Sequence, residues 1–254
     1  MMSGNEPLLT RNWFDQGGRA YARFRPEYPP QTAAFLASAA PDTRLAVDVG
    51  CGNGQLTQLL ARHFTEVIGL DPSADQIANA IAQERVSYQC APAEQLPLAD
   101  GSSSLITAAQ AAHWFDLPAF YKEARRVAAP GGILALISYG VLKLEPLLDE
   151  CFQQFYRDGI GPYWPAERKL VDSGYATMDL PFEELAAPRQ KIRLEWNLVE
   201  FLGYLLTWSA VRNAREAGRK DVFLKFAQQI SDAWGDENTK RAITWPINMR
   251  IGKL

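Results

Sequence analysis

The stretch VDVGCGNGQL, residues 47–56, decides how the chain is to be read. It follows on an apolar run, LAVDVG over 45–50, of the kind that forms a buried strand. Gly50, Gly52 and Gly54 then stand at alternate positions behind Asp48. From Gln55 the apolar residues Leu56, Leu59, Leu60 and Phe64 take the spacing of one helix face. A strand that turns into a helix through glycines lets backbone approach a ligand and offers the N–H groups of a helix start. In open α/β sheets, ligands bind at such carboxyl ends of strands.

The alternation continues outward from this loop. TEVIGLD (65–71) reads as a second strand, and Ser73 with Gln76 forms a capping-box pattern that predicts a helix to about Gln83. RVSYQC (85–90) is a third strand. Asp100-Gly101 marks a turn before SSLITAAQ (103–110), the fourth. Leu117, Phe120, Tyr121, Ala124, Val127 and Ala128 outline a helix that Pro130-Gly131-Gly132 ends, and ILALIS (133–138) is the fifth strand. Strands joined by such helices pair in parallel with right-handed crossovers, so the expected class is α/β with a doubly wound, mostly parallel sheet.

The pattern changes after Tyr139. Residues 146–157 read as helical, 158–190 as irregular, and QKIRLEW (190–196) as a strand. Residues 197–217 and 221–234 read as helices, and RAITWPINMRIGKL as a last strand in which Pro246 predicts an edge position or a bulge. The organisation expected is a core of about 30–140 with a C-terminal strand at 239–252, and a helical cap over about 141–238.

With 254 residues, 47% hydrophobic and 22% charged, the chain has the composition of a soluble globular protein of one large domain. A net charge of −3 argues against a nucleic-acid partner. Cys51, Cys90 and Cys151 form neither a disulfide framework nor a CxxC zinc motif, and no metal is expected. MMSGNEPLL lacks the pattern of a signal peptide, and GGILALISYGVL is too short for a membrane span. The expected location is the cytoplasm. Oligomeric state stays open.

A dinucleotide-binding loop reads G-x-G-x-x-G. Here the third glycine comes one position early, at Gly54, and Asp48 precedes the first. A pyrophosphate disfavours that carboxylate, whereas a ligand carrying an amino group and a sulfonium tolerates it. The second strand ends in Asp71, a residue type that can accept both hydroxyls of a ribose. Together the two motifs point to an adenosyl ligand without phosphates, and away from a nicotinamide oxidoreductase.

On these residues the chain resembles the class I S-adenosylmethionine-dependent methyltransferases. Within them it is similar to the small-molecule carboxyl methyltransferases of the trans-aconitate type. VDVGCGNGQL and GLDPS carry the cofactor motifs, CAPAEQLPLADGS resembles the adenine loop, and EARRVAAPGGILAL the stretch around the fifth strand. RAYARFRPEYP (19–29) and YLLTWSAVRNA narrow the resemblance to the subgroup. The resemblance implies a Rossmann-like seven-stranded sheet, S-adenosylmethionine as cofactor with S-adenosylhomocysteine as product, and an N-terminal cofactor-capping segment over 11–29. It implies that Gly50, Cys51 and Gly52 line the methionine part, that Asp71 holds the ribose, and that Pro72, Ala93 and Glu94 meet the adenine. Gln110 is implied beneath the methionine. Asp48 either contacts the cofactor or orients the loop through backbone N–H groups. Tyr21 and Arg25, four apart, share a helix face, and the Arg fork suits a carboxylate. Two positions depart from common usage: Pro92 and Ser104 stand where many relatives have aspartate.

For the methyl acceptor the candidates are His113, Trp114, Trp164, Trp208 and Arg212. His113 and Trp114 follow the fourth strand, and Arg212 lies four residues after Trp208, placed to bind a carboxylate. A carboxylate is ionised at neutral pH and needs no base, so the expected role of His113 is positioning. A phenol or quinone-like carbon would make His113 a base instead. An RNA or protein methyltransferase, or a non-catalytic cofactor-binding module, are the remaining alternatives.

Overall fold

The protein is described by a computed structural model over residues 26–254. Tyr21, Arg25 and most of the expected capping segment lie outside the described residues. The chain divides into two compact units. One comprises Glu27–Val141, Glu167–Ile192 and Trp245–Leu254; the other contains Leu142–Ala166 and Arg193–Thr244.

The first unit holds the sheet. Five strands succeed one another: β1 (Leu45–Val49), β2 (Glu66–Asp71), β3 (Val86–Cys90), β4 (Ser103–Ala109) and β5 (Ala128–Tyr139). They pair in parallel in the order β3-β2-β1-β4-β5. The chain returns to β1's free edge with β4, so the strand order reverses between β1 and β4. That reversal opens the crevice in which doubly wound sheets bind ligands. β6 (Glu183–Leu185) and β8 (Arg241–Lys253) extend the sheet antiparallel beyond β5, and β7 (Gln190–Trp196) pairs with β8. The result is the doubly wound, mostly parallel sheet expected, with seven strands in line and an eighth on β8.

The strands β1 and β4 are buried almost throughout, which explains their unbroken apolar runs. Helix α1 (Pro30–Ala39) precedes β1, and α2 (Gln55–Leu60) and α3 (Ala74–Ala78) are short. Ser73 does cap α3, its hydroxyl accepting from the Gln76 N–H. The helix stops at Ala78 rather than Gln83, and none of its residues is buried. A helix without a packed face has little beyond propensity to extend it. Helix α4 (Leu117–Val127) behaves as its spacing predicts, burying Phe120, Tyr121, Ala124 and Val127 against the sheet.

Residues 168–172 form a short helix, α6, inside the stretch read as irregular. Its end is a Schellman motif: the Gly174 N–H bonds the Val171 carbonyl, and the Tyr175 N–H bonds the Leu170 carbonyl. The segment packs into the core through Val171, Tyr175, Met178 and Leu180. Pro246 does not mark an edge, since β8 lies inside the sheet; it falls at a one-residue register shift between the Tyr139–Ile247 pair and the Lys143–Thr244 bridge, in line with the bulge alternative.

The second unit contains α5 (Pro146–Gln154), α7 (Leu198–Leu206), α8 (Ser209–Glu216) and α9 (Lys220–Trp234). The single helix expected over 197–217 is broken at Thr207–Trp208, where Trp208 takes an extended conformation. Asn197 and Glu200 form a reciprocal capping box at the start of α7.

The loop after β3 is held from α4. Arg126 donates to the carbonyls of Leu96 and Leu98 and pairs with Asp100 and Glu123, and Glu123 accepts from the Leu96 N–H. The Arg126 guanidinium holds the Glu123 carboxyl down at about 2. Replacing Arg126 with Leu is expected to cost about 1 kcal/mol, since the bonds are half-exposed. Hydrogen exchange should accelerate at Leu96 and Leu98 while the β1 amides stay protected.

Candidate active site

The carboxyl end of β1 is built by backbone hydrogen bonds to the end of β2. The Gly50 and Cys51 N–H groups both donate to the Leu70 carbonyl, at 2.7 and 2.9 Å. The Gly52 N–H donates to Asp71 Oδ2, and the Ser73 N–H to Asp71 Oδ1, each at 2.9 Å. The loop N–H groups expected to be free are therefore consumed internally. The loop carbonyls are engaged as well, Cys51 by the Gly54 N–H, Asn53 by the Ile81 N–H and Gly54 by the Gln58 N–H, and open Cα surface is left at Gly52, where a Cβ would meet nothing closer than 3.9 Å. Among the described residues each Asp71 oxygen accepts one hydrogen bond, which leaves it a second lone pair for another donor.

Two glycines are required by position. Gly50 has φ +70° and a Cβ there would collide with Ala111, close to Phe115. Gly54 has φ +92°, and a Cβ there would strike the Tyr88 hydroxyl. Tyr88 also fills the space left by Gly69, its register partner across β2 and β3. Nothing in the sequence singled out Tyr88; the glycine facing it in the parallel ladder is the only signal.

Asp48 sits beneath the loop, 1% exposed. Its carboxylate accepts from the hydroxyls of Thr57 on α2 and Thr107 on β4, at 2.7 and 2.8 Å. Thr107 is its cross-strand neighbour. Burial pushes the Asp48 carboxyl up to about 6, against the lowering pull of the two hydroxyls. It ties β1, α2 and β4 together at the switch point. Burial likewise pushes the Cys51 thiol well above its usual range.

The segment after β4 packs on this loop. Gln110 takes φ +55°, its N–H bonded to the Ile137 carbonyl and its side-chain amide donating to the Tyr139 carbonyl. A left-handed glutamine is held by such bonds on both sides, and backbone of that kind clusters at functional sites. Ala111 and Phe115 flank Gly50. His113, between them in the turn Ala112–Trp114, places Nδ1 2.9 Å from the hydroxyl of buried Tyr175. Burial, with a further push from Arg168 partly offset by Glu167, lowers the His113 pKa to about 4. The Trp114 ring lies beside that of His113, tilted by 46° with centroids 4.9 Å apart, and is 63% exposed.

Pro72 is exposed beyond Asp71, and Ala93 is buried in the loop after β3. One Glu94 oxygen accepts from the Asp116 N–H, 2.9 Å away, so it joins that loop to the start of α4. Thus Asp48, Gly50, Cys51, Gly52, Asp71, Gln110 and His113 belong to one connected edge of the sheet unit. Ser104 lies at the far end of β4, where its hydroxyl donates to Asp42.

Trp164, Trp208 and Arg212 belong to the second unit. Trp164 and Trp208 are half-buried, with ring centroids 5.3 Å apart, and both pack on Tyr156. Arg212 is exposed on the first turn of α8, its N–H bonded to the Trp208 carbonyl. Among the described residues, no group of three or more His, Cys, Asp or Glu is placed to hold a metal. No described helix is long and apolar enough to cross a membrane.

Residues 47–136 match the family described as methyltransferase domain. A Dictyostelium discoideum protein named as a methyltransferase is 34% identical over 97% of this chain and 98% of its own length. The chain belongs to the class I methyltransferases. A solved structure described as a type II methyltransferase of Anaeromyxobacter dehalogenans superposes with a TM-score of 0.86 at 42% identity, covering 91% of this chain and 98% of that one. A malonyl-acyl-carrier-protein O-methyltransferase of Dechloromonas aromatica is 36% identical over 41% of each chain. This methyltransferase is therefore an enzyme that uses S-adenosylmethionine as its cofactor.

Asp48→Asn isolates one titration. The folded-state pKa of Asp48 lies above its ordinary value of 3.8, so the folded protein holds a proton that the unfolded chain has released. Wild-type stability should fall relative to Asp48→Asn as pH rises from about 4 to about 6, and run parallel above that. Urea melts of both proteins at half-unit pH steps check this.

Proposed function

We propose that this methyltransferase acts on a small organic acid, transferring the methyl group to a carboxylate oxygen, as the trans-aconitate resemblance implies. The observation that carries the reading is the state of His113. An imidazole whose pKa is lowered to about 4 and whose Nδ1 is engaged with Tyr175 is a poor acceptor for the proton of a phenol of pKa about 10. An acceptor that is already ionised removes the need for that proton transfer. The Dechloromonas relative named for O-methylation of a malonyl group lends support from a partial match.

The residues at the carboxyl edge fit the cofactor. Asp71 has lone pairs left for the ribose hydroxyls, and the open space over Gly52 leaves room for the methionine portion, to which Gly50, Cys51 and Gly52 are assigned. Pro72, Ala93 and Glu94 are assigned to the adenine, and Gln110 to the methionine end. When bound, the cofactor supplies an electrophilic methyl group on a sulfonium. The chain's own task is then to orient the acid and exclude water. Arg212 is the assigned cation for a carboxylate, and Trp164 and Trp208 the apolar wall. His113 and Trp114 are assigned to position the reacting group.

Incubation with methyl-labelled cofactor and a panel of di- and tricarboxylic acids, including trans-aconitate, tests the acceptor. Base-labile labelled esters are the expected product; labelled phenols, and none from acids, would reverse the reading. Asp71→Ala should weaken cofactor binding about 10- to 100-fold by calorimetry, the loss of two charge-assisted bonds. Arg212→Met should raise KM for the acid about tenfold while leaving cofactor binding unchanged.

A further inference from the structure

Tyr175 is a residue that neither the glycine loop nor the resemblance assigned, and its placement is unusual. It has no exposed surface, yet it takes φ +64°, a conformation that bulky side chains rarely adopt. Three sets of bonds hold it there. Its N–H closes the Schellman turn on Leu170. Its carbonyl accepts from Arg250 Nη1 at 3.0 Å. Arg250, on the interior strand β8, is itself fixed by both oxygens of Glu184 at 2.8 and 3.0 Å. The structure therefore commits an arginine, a carboxylate and a helix terminus to keeping one left-handed tyrosine in place. The hydroxyl so placed meets His113 Nδ1 at 2.9 Å.

A buried phenol stays protonated, because its anion would lose hydration, and among the described residues no cation bonds this hydroxyl to offset that. It must then donate, since an unbonded buried hydroxyl costs more than a made bond returns. The ring nitrogen it reaches is Nδ1. In a neutral imidazole, the nitrogen that accepts leaves the other as the N–H. The Nδ1 edge of the ring faces the fully buried tyrosine, so the half-exposed remainder of the ring carries Nε2.

We propose that Tyr175 is a positioning residue that locks His113 as the Nε2–H tautomer, making its outward nitrogen a fixed hydrogen-bond donor for an oxygen of the methyl acceptor. This rests on the acceptor being an oxyanion at the site already described. A donor cannot remove a proton, so the same lock rules His113 out as the base in this state. Arg250 and Glu184 act one step further out, by holding Tyr175.

The chain has two histidines, His63 and His113, which makes the tautomer directly readable. The experiment is nitrogen-15 NMR of the cofactor-free protein labelled at histidine, with His63→Asn for assignment. The expected result is a neutral His113 with the proton on Nε2 at pH 7, and a mixture of tautomers in Tyr175→Phe, whose ring keeps the packing. A wild-type proton on Nδ1, or a tautomer unchanged in Tyr175→Phe, overturns the proposal. This readout needs no acceptor, so it stands or falls apart from the acid reading. With an acid that turns over in the labelled-cofactor assay, Tyr175→Phe should lower kcat about tenfold and leave cofactor affinity within about twofold. An unchanged kcat would overturn the positioning role even if the tautomer is as expected.

Discussion

The arrangement at this edge of the sheet depends on where the backbone of the glycine loop sends its N–H groups. Three successive donors, at Gly50, Cys51 and Gly52, go to the Leu70 carbonyl and the Asp71 carboxylate. That convergence is possible only because β1 and β2 pair in parallel with Val49 beside Leu70. A one-residue slip would turn Asp71 to the other face of the sheet and bury the wrong residues. It also requires left-handed backbone at Gly50 and Gly52. Asp71 is thus a structural clamp before it meets any ligand.

A common cause runs through the titratable groups around this edge. Burial raises Asp48, Cys51 and Tyr175 and lowers His113, each towards its uncharged form. Desolvation, rather than any ion pair, is the first cause for all four. Such an environment strengthens hydrogen bonds and weakens proton transfer as a working principle. It fits chemistry in which the reacting groups arrive already charged and the protein orients them.

Much of this was legible in the sequence. The five parallel strands, the glycine loop and the acid ending β2 follow from apolar runs, glycine spacing and a single carboxylate. Buried strands need continuous hydrophobic residues, and close backbone approach needs glycine, so composition and conformation are tied locally. Helix lengths were less legible. The pattern from Ser73 marked a start correctly but could not report that α3 buries none of its residues. The run from 197 to 217 has helical spacing throughout, and yet the chain breaks at Trp208, where an aromatic cluster with Tyr156, Trp164 and Tyr204 takes the ring.

The sequence by itself determined the fold class and the strand–glycine-loop–helix turn at the end of β1, because those rest on periodicity and on residues adjacent in the chain. The tertiary structure alone decided who holds the candidate groups. Asp48 turned out to bond the hydroxyls of Thr57 and Thr107, the latter because β4 returns beside β1. His113 acquired its partner from a stretch that read as irregular, 62 residues away. Tyr175 carries no local signature beyond the glycine before it. Its position is fixed by Arg250 from β8, a strand interior to the sheet at the other end of the chain. Contacts of that separation depend on how strands are ordered in space, which no spacing rule along the chain encodes.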